Sequence, residues 1–355
     1  MAPFFSIVTF VKNRSDKIAK CIESIQRQNI NNLEMVIQDG SSTDGTKEIC
    51  EKMAFLDKRI KFVSENDKSP TDAWLKALKR CRGDWIGLLM SDETYCPNAL
   101  ISVKSIIRSQ QLSNSSFIYG NGFTVDYEGD LLGEVHADKN FSIERYLLNE
   151  VLPHPGNCFI NKKILNKAKI LNREIHWGCG EYEVFLRLAL CANPTHVPIY
   201  ISNFAVHQNQ LGGSVKANRE VTESELLLFK KFFGSKEGKK FRHLENQACI
   251  GILKRSLTIL ITKNFLEDSY FYIKEMIKFG HERKKIYDLL YLITKEKIKK
   301  NRQESKKIKN KIQSNNKQNF LNTLLAFMGG IVCAKNHNII ILRTVKPILR
   351  LLSKL

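Results

Sequence analysis

The sequence lacks the marks of a secreted or disulfide-stabilised protein. Its nine cysteines are odd in number, scattered, and include no C-x-x-C pair, so they predict reduced, buried thiols. The first apolar run, Phe4 to Val11, has no basic segment before it and is too short to span a membrane. No secretion signal is visible, and we expect a cytosolic location.

Acidic residues are scarce in one part of the chain only. Residues 1–210 carry 25 Lys and Arg against 24 Asp and Glu, a net charge of +1, whereas residues 211–355 carry 31 against 12, a net charge of +19. A chain of 355 residues with 43% hydrophobic residues can bury a sizeable core. We therefore expect a globular domain over residues 1–214 and a basic, helical region over residues 215–355.

Long clean hydrophobic runs and nucleic-acid modules are also missing. Residues 295–317 are rich in lysine and asparagine, and the apolar stretches that follow, 320–334 and 339–355, are too short or too charged for a confident transmembrane helix. Without interleaved aromatic residues, the lysines do not indicate nucleic-acid binding. We predict that residues 295–355 attach to an anionic membrane surface. A solvated helix face or an oligomer contact is the alternative.

The first 97 residues alternate strand patterns with helix patterns. Apolar runs of strand length begin at Phe4, Leu33, Ile60 and Trp85, and amphipathic segments separate them, the first with Ser15 as a candidate N-cap. This alternation predicts an α/β fold with a parallel, doubly wound sheet, whose ligands bind beyond the carboxyl ends of the strands.

After Pro97 the pattern changes. We expect a helix from about residue 100, short strands at 117–119 and 124–127 separated by Gly120-Asn121-Gly122, and a later helix with Glu181 in its first turn. An acid there lies near the positive end of the helix dipole, which alone explains many such residues. Residues 98–214 are predicted to form the second wall of a cleft.

Two acids follow apolar strands directly. Asp39 comes after the second strand and Asp92 after the fourth. Oxygen ligands at such positions suit Mg²⁺ or Mn²⁺ held against phosphates, and the metal would neutralise a departing diphosphate. Asp39 taken alone is better explained as a loop or helix cap. Asp92 is harder to explain structurally, because an acid at the end of an apolar strand must be solvated, paired or metal-bound.

Five segments, in order over about residues 4–214, resemble the inverting family 2 glycosyltransferases of the GT-A fold. They are F-S-I-V-T-F-V-K-N-R, V-I-Q-D-G-S-S-T-D-G-T, the stretch from S-E-N-D-K-S-P-T-D-A-W to G-L-L-M-S-D-E, H-P-G-N-C-F-I-N-K, and G-E-Y-E-V-F-L-R-L. The resemblance implies a Rossmann-like, nucleotide-binding mixed sheet flanked by helices, here with a C-terminal helical extension.

The resemblance also implies roles for individual residues. The nucleotide of a UDP-sugar donor would be bound by residues at the strand ends, which are Asn13, Asp39, Asp67 and Asp72. Asp92 would hold Mn²⁺ or Mg²⁺, with Glu93 or His207 completing the metal shell. Glu181 would be the general base that removes a proton from the acceptor hydroxyl, and a single displacement of this kind inverts the anomeric centre.

The sequence departs from the family pattern at several positions. Met90 stands where many members have an acid two residues before the metal-binding Asp, Leu75 replaces Asn, and Ser69 replaces Gly. We expect a glycosyltransferase that moves a sugar to a glycan acceptor, such as a lipid-linked one, in surface polysaccharide assembly at the inner face of the cell membrane. The alternatives are a soluble transferase for a protein or free glycan, and a degenerate domain that binds a sugar nucleotide or a partner without turnover.

Overall fold

The computed structural model describes residues 2–172, 179–206, 214–262 and 269–282, together with Lys285. In chain order, the strands of this part are β1 (Phe5–Val11), β2 (Leu33–Asp39), β3 (Ile60–Ser64), β4 (Trp85–Leu88), β5 (Thr94–Tyr95), β6 (Phe117–Val125), β7 (Leu131–Val135), β8 (Cys158–Asn161) and β9 (Thr195–Ala205). The helices are α1 (Ile18–Gln26), α2 (Thr46–Leu56), α3 (Pro70–Arg80), α4 (Ala99–Ser109), α5 (Ile143–Leu147), α6 (Lys162–Lys167), α7 (Gly180–Cys191), α8 (Val215–Gly234), α9 (Glu245–Thr262) and α10 (Ser269–Lys278).

The strands form one mixed sheet in the order β3-β2-β1-β4-β8-β6-β9-β5, with β7 paired to β6. The first four are parallel, as the alternation of strands and helices predicts. From β8 onward the sheet is mixed, because β8 runs antiparallel to β4 and β6. The carboxyl ends of β1 to β4 therefore meet at one edge, and the second half of the chain extends the same sheet.

Both faces of the parallel strands are covered. Ile7 and Val8 are adjacent in β1 and both fully buried, and neighbouring residues of a strand point to opposite faces. Ile7 belongs to a core cluster that includes Ile18 of α1 and Leu100 of α4, whereas α3 packs on β1 and β2 with Trp74 buried. Burial on both faces is typical of parallel sheets in α/β proteins.

The start of α1 differs from the sequence prediction. Residue Lys17, not Ser15, precedes the helix, and no side chain caps it. The Ser15 amide instead donates a hydrogen bond of 3.0 Å to Asp44 in the loop after β2. The loop contact, which connects distant parts of the chain, replaces the local cap.

The two short strands expected around Gly120-Asn121-Gly122 are one strand, β6. A Cβ atom on Gly120 would lie 2.7 Å from the Ile199 carbonyl oxygen, and one on Gly122 would lie 2.4 Å from the Asn157 side chain. These glycines are therefore required for close approach of neighbouring segments rather than for a turn.

The chain forms two compact units, residues 1–248 and 249–355, and α9 runs across the division. The boundary at residue 214, which the sequence predicts between the globular domain and the basic helical region, does not coincide with this division and stays a prediction. In the described part, all eight cysteines are free and seven are buried, as expected. Helices long and apolar enough to cross a membrane are absent from the described residues. The segment 295–355 lies outside them.

Candidate active site

Asp39, at the carboxyl end of β2, is fully buried. Its carboxylate accepts hydrogen bonds from the Ser42 amide (3.1 Å), the Ser42 hydroxyl and the Ser64 hydroxyl (2.6 Å). Both oxygens therefore have protein partners, and the side chain closes the loop that follows β2. The predicted contact to the donor nucleotide stays a prediction.

Asn13 connects the loops that follow β1 and β2. It has a left-handed backbone with φ of 53°, which Asn tolerates better than most residues. Its side-chain oxygen accepts from the Thr43 amide at 2.9 Å, and its own amide donates to the Ser42 hydroxyl at 2.8 Å. Asn13 thus shapes the strand-end loops where a nucleotide is predicted to bind.

Asp67 lies beside Asp39 in the same group of loops. Its Oδ1 accepts from Lys76 at 2.9 Å and from Gln38 at 3.2 Å. Its Oδ2 is buried without a hydrogen-bond partner among the described residues, and a Cβ atom on Gly40 would lie 3.2 Å from it. A buried acceptor left open in this way fits a hydrogen-bond donor from a ligand.

Asp72 has a structural role at the start of α3. Its Oδ2 accepts from the Lys68 amide at 3.0 Å and lies 3.2 Å from the Lys76 ammonium, while its own amide donates to the Ser69 hydroxyl, the N-cap, at 3.1 Å. The Lys68 hydrogen bond and the Lys76 charge lower the pKa of Asp72. These contacts explain Asp72 without a ligand, and its predicted nucleotide contact remains a prediction.

Asp92 is half-buried in the turn between β4 and β5 and faces a cleft of about 310 Å³. Glu93 of the same turn also lines the cleft, and the other lining residues come from Lys17 and α1, β5, the β6–β7 hairpin and β9 and include Lys20, Phe123, Tyr127 and Asn203. Mg²⁺ commonly takes only one or two protein carboxylates and completes its shell with phosphate and water. A carboxylate facing a cleft fits that use.

The predicted additional metal ligands receive no support from the described residues. Within the described ranges, no group of three His, Cys, Asp or Glu side chains could hold a metal ion. Glu93 is only 5% exposed, and its Oε2 accepts from the Met90 amide at 3.2 Å. This geometry favours a structural role for Glu93. His207 lies outside the described residues, so its predicted role stays a prediction.

Glu93 also faces the loop that carries the H-P-G-N motif. Its Oε1 lies 3.6 Å from His154 Nε2, and the His154 ring stacks on Phe204 with centroids 4.3 Å apart. Burial raises the pKa of Glu93 to about 8, with Asp92 and Glu181 adding to the shift and the Met90 hydrogen bond opposing it. Burial also lowers the pKa of His154 to about 4, against the pull of Asp92.

Glu181 lies in the first turn of α7, as predicted. Gly180 makes this placement possible, because a Cβ atom there would lie 2.6 Å from the Thr71 hydroxyl oxygen at the start of α3. Burial raises the pKa of Glu181 to about 7, which suits a general base near neutral pH. Glu181 also contributes to the raised pKa of Glu93, so the carboxylates of Asp92, Glu93 and Glu181 share one region.

The structure thus brings the predicted residues together in two groups. Asn13, Asp39, Asp67 and Asp72 lie at the carboxyl ends of the parallel strands, and Asp92, Glu93 and Glu181 lie beside them. Sequence reasoning missed the contact of Glu93 with His154 and Gly156, although the H-P-G-N motif was the signal that could have indicated it. It also missed Lys17 and Lys20, whose helix positions carry no recognisable signal.

Comparisons with known proteins agree with this architecture. Residues 6–168 match the model of the glycosyl transferase family 2. Chondroitin synthase of Escherichia coli is 27% identical over 205 residues, 58% of this chain and 29% of that protein. The GalNAc(5)-diNAcBac-PP-undecaprenol beta-1,3-glucosyltransferase of Campylobacter jejuni is 27% identical over 182 residues, 49% of this chain and 56% of that protein. The chain therefore spans about a third to a half of the length of these relatives.

Among solved structures, S. aureus TarS 1-349 in complex with UDP-GlcNAc superposes with a TM-score of 0.57 at 16% identity, covering 80% of this chain and 82% of that one. At this identity the similarity concerns the fold alone. The mixed sheet and the order of the motifs agree with the match of residues 6–168 to the model of glycosyl transferase family 2.

Proposed function

We propose that this protein transfers a sugar from a nucleoside diphosphate sugar, most simply a UDP-sugar, to a hydroxyl group of a glycan acceptor, with inversion at the anomeric carbon. The observation that carries the proposal is the placement of Asp92 and Glu181 in one region, the first facing a cleft and the second with a near-neutral pKa. A solved structure of similar fold binds UDP-GlcNAc, which supports a UDP-sugar as donor.

Different residues of the chain have different roles in the proposed reaction. The loops after β1, β2 and β3 hold the nucleotide, with the open Oδ2 of Asp67 as an acceptor for a donor group of the ligand. Asp92 holds Mn²⁺ or Mg²⁺ together with the diphosphate; when bound, the metal neutralises charge on the leaving group. Glu181 removes the proton from the acceptor hydroxyl as that oxygen attacks the anomeric carbon on the face opposite the diphosphate.

We further propose an acceptor in polysaccharide assembly that is linked to a lipid. The support is one relative that is a glucosyltransferase for an undecaprenol-linked glycan and another that is a chondroitin synthase. The basic segment 295–355 would bring the domain to the cytoplasmic face of a membrane where such acceptors lie. Oligomerisation through this segment is the alternative for its apolar stretches.

The test uses a thermal-shift screen of nucleotide sugars with and without Mn²⁺, followed by assays of transfer or hydrolysis with the sugar that binds. A ligand that binds only the folded state raises the melting temperature, and the rise grows with the logarithm of the ligand concentration once that exceeds the dissociation constant. We expect Asp92→Asn and Glu181→Gln to lose turnover while remaining folded, and the product to have inverted configuration by NMR. Binding of a nucleotide sugar without any turnover by the native protein would support the alternative of a degenerate domain. Met90, which stands where many family members have an acid, suggests that alternative.

A further inference from the structure

Glu93 occupies the junction between the turn that carries Asp92 and the segment 154–157. On one side, the Met90 amide donates to Glu93 Oε2 at 3.2 Å, and the Glu93 amide donates to the Met90 carbonyl at 3.0 Å. The side chain and the backbone of Glu93 therefore both close the turn over residues 90–93. Asp92 lies inside this turn, so its position depends on that closure.

On the other side, Glu93 packs against a loop that is itself held firmly. Gly156 lies so close that a Cβ atom there would be 2.4 Å from Glu93 Oε2. The His154 Nδ1 accepts from the Gly156 amide at 3.2 Å, which leaves the Nε2 proton of neutral His154 directed toward Glu93 Oε1. The glycine of the H-P-G-N motif is thus explained by the space that Glu93 needs.

The segment 154–157 is anchored to β9. The Asn157 side-chain oxygen accepts from the Ser202 amide at 3.0 Å and from the Ser202 hydroxyl at 2.7 Å, and His154 stacks on Phe204. Since β9 belongs to the later, mixed part of the sheet, Glu93 connects the turn that carries Asp92 to that part of the sheet.

We propose that Glu93 is a positioning residue, not a metal ligand: it closes the turn that presents Asp92 and sets that turn against the His154–Asn157 loop. The contacts that define this role are a hydrogen bond from the Met90 amide and a close steric fit against Gly156, and neither needs a negative charge. A glutamine fills the same space and keeps an oxygen that accepts from the Met90 amide. A metal ligand, in contrast, would need the carboxylate, because hard cations prefer charged oxygen donors.

The first test measures the turn directly and does not depend on activity. Hydrogen exchange is followed by mass spectrometry on peptides covering residues 86–95 in the full chain, for the native protein, Glu93→Gln, Glu93→Ala and the control Glu220→Gln, a surface position on α8. We expect faster exchange in Glu93→Ala only, because the Met90 amide loses its acceptor. Unchanged exchange in Glu93→Ala would overturn the proposal.

The second test is kinetic and rests on the proposed function. We expect Glu93→Ala to lower kcat by about tenfold or more through misplacement of Asp92, and Glu93→Gln to stay within about twofold in kcat, in KM and in the Mn²⁺ concentration for half activation. Equal losses in both variants would show that the charge is needed and would overturn the proposal. A native chain without turnover would contradict the proposed function instead, and the exchange experiment would still decide the role of Glu93.

Gly156→Ala supplies a steric check. In the native background its added methyl group collides with Glu93 Oε2 and should speed exchange in residues 86–95. In the Glu93→Ala background the space is vacant, so the second substitution should add nothing. Additive effects of the two substitutions would contradict a direct contact between Gly156 and Glu93.

Discussion

Among single residues, two neighbouring glutamates of this site have different surroundings. Glu93 accepts a hydrogen bond from the Met90 amide on Oε2 and has His154 Nε2 3.6 Å from Oε1, whereas Glu181 accepts no hydrogen bond from the residues the structure describes. A carboxylate held in place by partners positions other groups, and one without partners remains available to a substrate hydroxyl. The contacts of each side chain, more than the residue type, therefore distinguish the proposed positioning role of Glu93 from the proposed role of Glu181 as general base.

The raised pKa of Glu181 predicts the pH dependence of transfer. A general base acts only when ionised, and the pKa is raised to about 7 by burial. We expect kcat/KM to fall as the pH drops below about 7, by roughly tenfold per pH unit once the group is protonated. The measurement is a pH–rate profile from pH 5 to pH 9. A profile that stays flat through this range would argue against Glu181 as the base.

Glu181→Gln tests the same group without its ionisable proton. We expect this variant to lose transfer activity but not to lose stability above pH 7. The folded pKa lies above the ordinary value of 4.5, so the stabilisation that Glu181 provides is present at low pH and is lost as the pH rises through 7. Above pH 7 the variant should therefore melt no lower than the native protein. If Glu181→Gln melts at a lower temperature than the native protein above pH 7, its loss of activity is explained by unfolding rather than by loss of the base.

The sequence distance between a site residue and its contacts decides how much of its surroundings the sequence predicts. Asp92 and Glu181 were predicted from their places at a strand end and a helix start, and the structure puts both there. The partners of Glu93 could not be predicted, because His154 and Gly156 are more than 60 residues away in the chain. Asp39 and Asp72 illustrate the reverse case, since local loop and cap contacts account for the hydrogen bonds they make.

At the scale of elements, the accuracy of prediction follows the range of the contacts that define each element. β1 to β4 and the helices between them have regular local patterns, and their bounds agree with the prediction to within a few residues. β8 and β9 were not predicted, because they exist through pairing with β4 and β6. Gly120 and Gly122 misled the prediction for the same reason, since the close approach of Asn157 and β9 is not visible in local sequence.

The contact between α7 and α3 yields a prediction for Gly180→Ala. The added Cβ atom would lie 2.6 Å from Thr71 Oγ1 and 2.7 Å from Thr71 Cγ2, so the start of α7 must move and carry Glu181 with it. We expect kcat to fall by about tenfold or more, because displacement of a reacting group by about 1 Å is costly. Steady-state kinetics of the variant measures this loss.

Thr71→Ala provides the compensating change for Gly180→Ala. It removes the two atoms that lie closest to the new methyl group and leaves Thr71 Cβ 3.2 Å away, so the double variant should recover most of the lost kcat, with Thr71→Ala alone close to native. If the double variant is as impaired as Gly180→Ala, the loss comes from a source other than this contact, such as the helix start itself.

At the scale of the whole molecule, charge separates the segment that matches the family 2 model from the C-terminal part of the chain. Residues 295–355 carry 15 Lys and Arg against 2 Asp and Glu, a net charge of +13 out of the total of +20. A glycosyltransferase that acts on a lipid-linked glycan must work at a membrane surface, and electrostatic attraction together with interfacial apolar residues can hold a protein there without a spanning helix. The charge distribution and the proposed acceptor therefore support each other.

Liposome flotation tests this attachment. We expect the full chain to float with vesicles containing anionic lipid, less so at high salt, and not with vesicles of neutral lipid. A chain ending at residue 294 should lose the binding, and full-length protein with Lys306, Lys307, Lys309 and Lys311 changed to glutamine should bind more weakly, since each lysine near the surface contributes about 1 kcal/mol. Undiminished flotation of the shortened chain would place the membrane contact elsewhere, and a salt-independent change in oligomeric state would favour the apolar stretches as a contact between copies.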